Sequence, residues 1–193
     1  MSEAARVQTE FAEAARVAAL LAADHQSAER VARVAHDIAA RAARGGKVLA
    51  VGNGGSCADA VHFCEELTGR YRKDRPPIAA IACSDAGHIT CTANDFGFDR
   101  VFSRWVEALA GPQDTLLALS TSGNSRNIAG AVEAARSKGA RVVLLLGKGG
   151  GTLAEAGDET WIVPGDTADR IQELHMLILH SLVGAIEHAL GVA

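Results

Sequence analysis

His62, Glu65 and Glu66 stand close together in GNGGSCADAVHFCEEL, residues 52–67, directly behind four residues that tolerate unusual dihedrals. Glycine and asparagine let a turn approach a ligand closely, so Gly52, Asn53, Gly54 and Gly55 read as a binding turn. The run after them reads as a helix. On it His62 and Glu66, four apart, share a face, and Glu65, three from His62, is also within reach. An imidazole and a carboxylate held together can move protons near neutral pH.

A second set lies near the other end. DRIQELHMLILH places Gln172, His175 and His180 on one long helix. Residues eight apart on a helix differ by about 80° in azimuth, so Gln172 and His180 can converge on a ligand from one broad face. With His62 and Glu66 they would offer two imidazole nitrogens and two oxygens, a set that suits zinc. Spacing does not choose between His175 and His180, and a lone histidine on an apolar helix is more often a core or surface residue.

The third set is Ser120, Thr121, Ser122, Gly123, Asn124 and Ser125, which follow LLAL and precede IAGAVEAARSKG. A helix start exposes unpaired amides and about half a positive charge, and hydroxyls add donors, so a phosphomonoester is the expected ligand. Simple capping by Ser122 or Ser125 would explain one hydroxyl and leave the others idle. Nucleotide motifs fit worse: GNGGSC has Cys57 where GxGxxG needs its third glycine, and no GxxxxGK[ST] follows a strand. The glycines at 149–151 read as a flexible turn.

These residues need a frame. The first 44 residues are alanine-rich, with apolar spacings that predict two amphipathic helices ended by Gly45 and Gly46. Short β-rich runs follow at 47–51, 78–82, 115–119, 141–146 and 160–163, each apolar on both faces. Between them, 56–69, 99–109, 125–138 and 152–157 have helical character, and a last helix is predicted from about 167 to 190. The alternation predicts an α/β fold, a doubly wound parallel five-stranded sheet with N-terminal helices. Ligands bind such sheets at the carboxyl ends of the strands, where GNGGS and STSGNS lie.

At 193 residues the chain suits a single domain, with 1–44 as a helical oligomerisation segment and 45–193 as the α/β core. A net charge of −4 offers no basic stripe for nucleic acid. No apolar run approaches a membrane span and the N-terminus has acids where a secretory signal would be basic, so a cytoplasmic protein is expected. Cys57, Cys64, Cys83 and Cys91 form no CxxC pair and are expected to be reduced, small buried side chains. Arg70 and Arg72 read as solvent-facing, His88 as part of a helix start, and Trp105 and Trp161 as core or interface residues.

GNGGS, ADAVHFCEELTGRYR, ANDFGF, STSGNS and ADRIQELH, in this order and at these distances, closely resemble the sugar isomerase (SIS) family, and within it the isomerases of seven-carbon sugar phosphates. The resemblance runs from about residue 45 to the C-terminus. It implies a homotetrameric, zinc-dependent enzyme with one zinc per subunit that interconverts sedoheptulose 7-phosphate and D-glycero-D-manno-heptose 7-phosphate, in bacterial heptose biosynthesis for lipopolysaccharide or other surface glycans. Carried over by motif, the zinc ligands are His62, Glu66, Gln172 and His180. The substrate contacts are Asn53, Gly54, Gly55, Glu66, Asn94, Asp95, Ser120, Thr121, Ser122, Ser125 and Gln172. An enediol route then has Glu66 take the carbon-bound proton while His180 serves the oxygens. The rival readings are a non-catalytic SIS-domain regulator that binds sugar phosphates, of the replication-initiator-binding type, and an isomerase for another sugar phosphate.

Overall fold

The computed structural model describes residues 1–193. Two helices open the chain, α1 over Glu3–Ala23 and α2 over His25–Ala42. Asp24 separates them: its carboxylate accepts from the Gln26 amide and the Ser27 hydroxyl, capping α2. Gly45, at φ 83°, takes the left-handed turn that leads the chain into the sheet.

Five strands follow, β1 over Val48–Gly52, β2 over Ala80–Ala82, β3 over Thr115–Ser120, β4 over Arg141–Leu146 and β5 over Glu159–Ile162. All pair in parallel, in the order β2-β1-β3-β4-β5. That is the flavodoxin-like order implied by the resemblance to the SIS family. The connections carry α3 over Gly55–Thr68, α4 over Ala86–Phe96, α5 over Val101–Leu109 and α6 over Arg126–Ser137, and α7 over Ala168–Ala189 closes the chain.

Strand side chains alternate between two cores. Val48, Ala50, Leu117, Leu119, Val143 and Leu145 face a cluster completed by α1, α2, α3 and α7. Leu49, Val51, Leu116, Ala118, Val142, Leu144 and Leu146 face the other, built with α5 and α6. Period-two alternation explains why the central strands are apolar throughout. The edges differ from the expectation: Ile81 on β2 and Ile162 on β5 are each 45% exposed, because an edge strand has cover on one flank only.

Three further expectations change. Residues 86–96 form a helix that hydrophobic spacing did not announce, because AGHITCTANDF is rich in β-branched residues of modest helix propensity. Its ends are set by Asp85, which accepts from the His88 amide, and by Gly97 at φ 85°. The 152–157 stretch is not a helix; a 3-10 turn over Lys148–Leu153 carries Gly149, Gly150 and Gly151 at positive φ. Of the cysteines, Cys64 and Cys83 are buried, whereas Cys57 is partly covered and Cys91 is exposed. Both tryptophans are core residues, and His88 sits at the α4 start.

Candidate active site

β1 and β3 are neighbours, yet α3 packs on one face of the sheet and α6 on the other. The chain therefore parts between GNGGS and STSGNS, opening a crevice at the carboxyl ends of the strands. Asn53 and Asn127 close its floor with reciprocal amide bonds of 3.0 and 2.8 Å. Asn127, on the first turn of α6, is a site residue that sequence motifs did not single out.

Neither helix start at this crevice is capped by a side chain. Ser125 precedes α6 without bonding to its amides, so capping does not explain that serine. Its hydroxyl instead lies 3.3 Å from the Ser120 hydroxyl, which also accepts from the Gly123 amide at 3.1 Å. Ser122 accepts from the Asn124 amide at 3.2 Å. The loop is buttressed from outside: the Asn124 side-chain oxygen accepts from the Thr152 amide at 3.0 Å, and Gly123 lies against the Gly150 carbonyl with no room for a Cβ. The triple glycine is thus a packed support for STSGNS. Unpaired amides and hydroxyls converging at a helix start suit a phosphate.

At the other end of α3 the ionisable side chains meet. His62 Nε2 lies 3.1 Å from His180 Nε2 and 3.5 Å from Glu66 Oε1. One donor atom from each of the three falls within 4.8 Å of the others. Tetrahedral zinc with bonds of about 2.0–2.1 Å separates its donors by about 3.3 Å, so this corner fits the ion. Glu65 approaches the opposite nitrogen, His62 Nδ1, at 3.5 Å and is largely exposed, outside the corner. Tyr71 stacks on His180 with ring centroids 5.9 Å apart.

His175, the alternative to His180, is buried away from this cluster, and neither ring nitrogen has a well-formed hydrogen bond. Burial pushes its pKa down to about 4, offset in part by the Leu146 backbone. One turn before His62, burial pushes the Asp59 carboxyl up to about 6 against the pull of the His62 charge. Burial likewise pushes the Cys64 and Cys83 thiols up to about 12, which leaves neither a thiolate nucleophile.

The SIS domain family matches residues 11–147. The phosphoheptose isomerase of Tolumonas auensis is 48% identical over 187 residues, 96% of this chain and 97% of that protein. That of Yersinia pestis is 50% identical over 182 residues, 94% of each. The solved phosphoheptose isomerase of Neisseria gonorrhoeae superposes with a TM-score of 0.86 at 36% identity, covering 97% of this chain and 100% of that one. The chain belongs to the phosphoheptose isomerases of the SIS domain family.

Of the residues that the phosphoheptose isomerase motifs nominate, His62, Glu66 and His180 come together here, as do Asn53 and the serine loop across the switch point. Gln172 lies at the opposite end of α3: a Cβ on Gly55 would stand 2.5 Å from its Nε2, so this glycine is required for the amide to rest on the helix start. Gly54, at φ 55°, supplies the left-handed turn before it. Thr121 is half-buried and its hydroxyl makes no hydrogen bond within the chain. Asn94 and Asp95 occupy the exposed last turn of α4, where Asn94 donates to Asp95 at 2.8 Å and neither bonds to the serine loop or the histidines. Arg70 and Arg72 are exposed, with Arg72 lying over the Tyr71 ring.

Proposed function

We propose that this chain is an aldose–ketose isomerase that converts D-sedoheptulose 7-phosphate to D-glycero-D-manno-heptose 7-phosphate through an enediol, at the start of bacterial heptose biosynthesis. The observation that carries the mechanism is the meeting of His62, Glu66 and His180 between α3 and α7, with α3 starting beside the uncapped serine loop on the neighbouring strand. His62 stands seven residues, about 10 Å of helix, beyond Gly55. That length accommodates a sugar whose phosphate and carbonyl are at opposite ends.

The serine loop and the first amides of α6 hold the phosphate, with Thr121 as a free donor. Asn53, Gly54, Gly55 and Gln172 line the path of the sugar, and Asn94 and Asp95 serve as further contacts. Zinc is the proposed cofactor, one per subunit, which His62 Nε2, His180 Nε2 and a Glu66 oxygen would hold, while Gln172, the fourth ligand of the family motif, rests here against the α3 start; when bound it would supply Lewis-acid polarisation of the sugar oxygens. Glu66 keeps a second carboxylate oxygen, and His180 a second ring nitrogen, for protons. Glu66 takes the C1 proton while His180 gives one to the C2 oxygen, forming the enediol. Return of a proton to C2 and removal of one from the C1 hydroxyl complete the aldose.

We also propose that the chain is one SIS domain whose first 44 residues serve assembly. Val7 and Phe11, four apart on α1, are 41% and 65% exposed, apolar side chains on one face that suit other subunits of a homotetramer. No helix is long and apolar enough to cross a membrane, in keeping with a proposed cytoplasmic location.

The test is turnover of sedoheptulose 7-phosphate against fructose 6-phosphate and ribulose 5-phosphate, on one preparation assayed as purified, after chelation, and after zinc is restored. The expected result is heptulose turnover that chelation abolishes and zinc returns. Inactivity on all three sugars, with phosphate-dependent binding retained, would favour a regulator instead.

A further inference from the structure

Between α3 and β2 runs GRYRKDRPP, residues 69–77, and its Arg75 is charged yet 1% exposed at its side chain. Its partner Glu187, 4% exposed, sits on α7 seven residues after His180, with Arg75 Nε donating to Glu187 Oε1 at 2.8 Å. The remaining donors go to the end of α3. Nη2 donates to the Glu66 carbonyl at 2.6 Å, and Nη1 donates to the carbonyls of Leu67 at 2.7 Å and Gly69 at 3.3 Å. The last carbonyls of a helix have no partner within it and carry the negative end of its dipole, so a guanidinium suits them in charge and geometry. Pro76 biases Arg75 toward an extended backbone.

One residue thereby grips the backbone of Glu66 itself and ties it to the helix that carries His180. Tyr71, in the same connection, adds a stacked ring against His180. A buried ion pair is weak evidence for stability, since apolar residues of similar volume often replace one at no loss. A directional grip on a single carbonyl, by contrast, fixes rotation and height.

We propose that the Arg75–Glu187 clamp is a positioning device for the reaction: it sets the height and rotation of the α3 end against α7, and so the His62–Glu66–His180 geometry on which metal affinity and proton transfer depend. This rests on the zinc-dependent isomerase reading above. Arg75 touches neither metal nor sugar, and it acts through the Glu66 backbone.

The test compares Arg75→Met with Glu187→Leu as a double variant, Arg75→Lys and Glu187→Gln. The double variant keeps the volume and loses every carbonyl bond; lysine keeps the pairing charge and cannot fork across the α3 end. Glutamine leaves Arg75 an acceptor and the carbonyl grip intact. Expected for the first two are a tenfold or greater weakening of zinc in chelator competition, a tenfold or greater fall in kcat with KM within twofold, and faster hydrogen exchange in the last turn of α3 in metal-free protein. Glu187→Gln should bind zinc within threefold of the parent. Folded double and lysine variants with parental zinc affinity and exchange would overturn the proposal, and so would failure of both to fold, because the pair would then serve the fold as a whole. A parent that binds no zinc and turns over no sugar sinks the functional reading instead, and exchange in metal-free chains still decides the clamp.

Discussion

The two ends of the crevice are built by different means. The phosphate end is made of consecutive residues, Ser120 to Ser125, shaped by short-range bonds and braced by the glycine turn at 149–151. The proton-transfer end is made of side chains 118 residues apart, His62 and His180, which meet only because α3 and α7 pack at one height. A site of the first kind tolerates movement of its surroundings, whereas the second depends on tertiary packing. Binding and chemistry should therefore fail separately.

The strongest way to break this contrast is Glu66→Gln. The amide keeps the size and an oxygen but cannot take a proton, so kcat should fall by about 10²- to 10⁴-fold while KM moves little, as read in steady-state kinetics on sedoheptulose 7-phosphate. A loss confined to KM would transfer Glu66 to the binding end and undo the division.

The next effect concerns stability through α7. Folded His175 refuses a proton until about pH 4, whereas its ordinary value is 6.5. The unfolded chain thus binds the proton first: stability is full above pH 6.5 and falls as pH drops through the window to about 4. At about 1.4 kcal/mol per unit the loss reaches about 3 kcal/mol. Urea unfolding across that range should show this slope, and His175→Leu should flatten it. An unchanged slope in the variant would assign the acid sensitivity elsewhere.

Gly123→Ala addresses the phosphate end. At φ 64° an alanine is strained by about 1–2 kcal/mol, and its Cβ would strike the Gly150 carbonyl. KM should rise about 30-fold, with kcat at saturation within a few-fold of the parent. A collapse of kcat would show that the brace governs both ends.

What the sequence disclosed follows the same division. The strand–helix alternation, the serine loop and the glycine turn before α3 were legible because each is written in contiguous residues. The choice of Glu66 over Glu65 and of His180 over His175 was not legible from spacing; it came with the family motif, and packing supplies the physical reason, since Glu66 faces Nε2 of His62 while His175 turns into the core. Asn127 and Arg75 escaped notice because their partners, Asn53 and Glu187, lie 74 and 112 residues away. Helix α4 was legible only as a start at His88, because Gly87, Thr90, Thr92, Asn94 and Asp95 are weak helix formers, and the support given by 149–151 was hidden because glycines announce freedom and conceal what they pack against.

The finest division between the two ends is Asn127→Asp. The carboxylate still accepts from Asn53 Nδ2, so the floor of the crevice keeps one of its two amide bonds. The acid suits the helix dipole, but Asn127 is buried and the new carboxylate oxygen would face Asn53 Oδ1 across the second bond, so thermal stability should fall. A phosphate at that helix start would also meet a like charge, which at about 4 Å is worth about 1 kcal/mol even in a water-like dielectric. KM should therefore rise about tenfold, more at low salt than at high salt, with kcat unchanged. A loss of affinity that shrinks as salt rises is what an anion site predicts, because a purely structural defect would carry no such salt dependence. Parental KM in this variant would remove the phosphate from α6, leaving the hydroxyls of STSGNS without their proposed ligand.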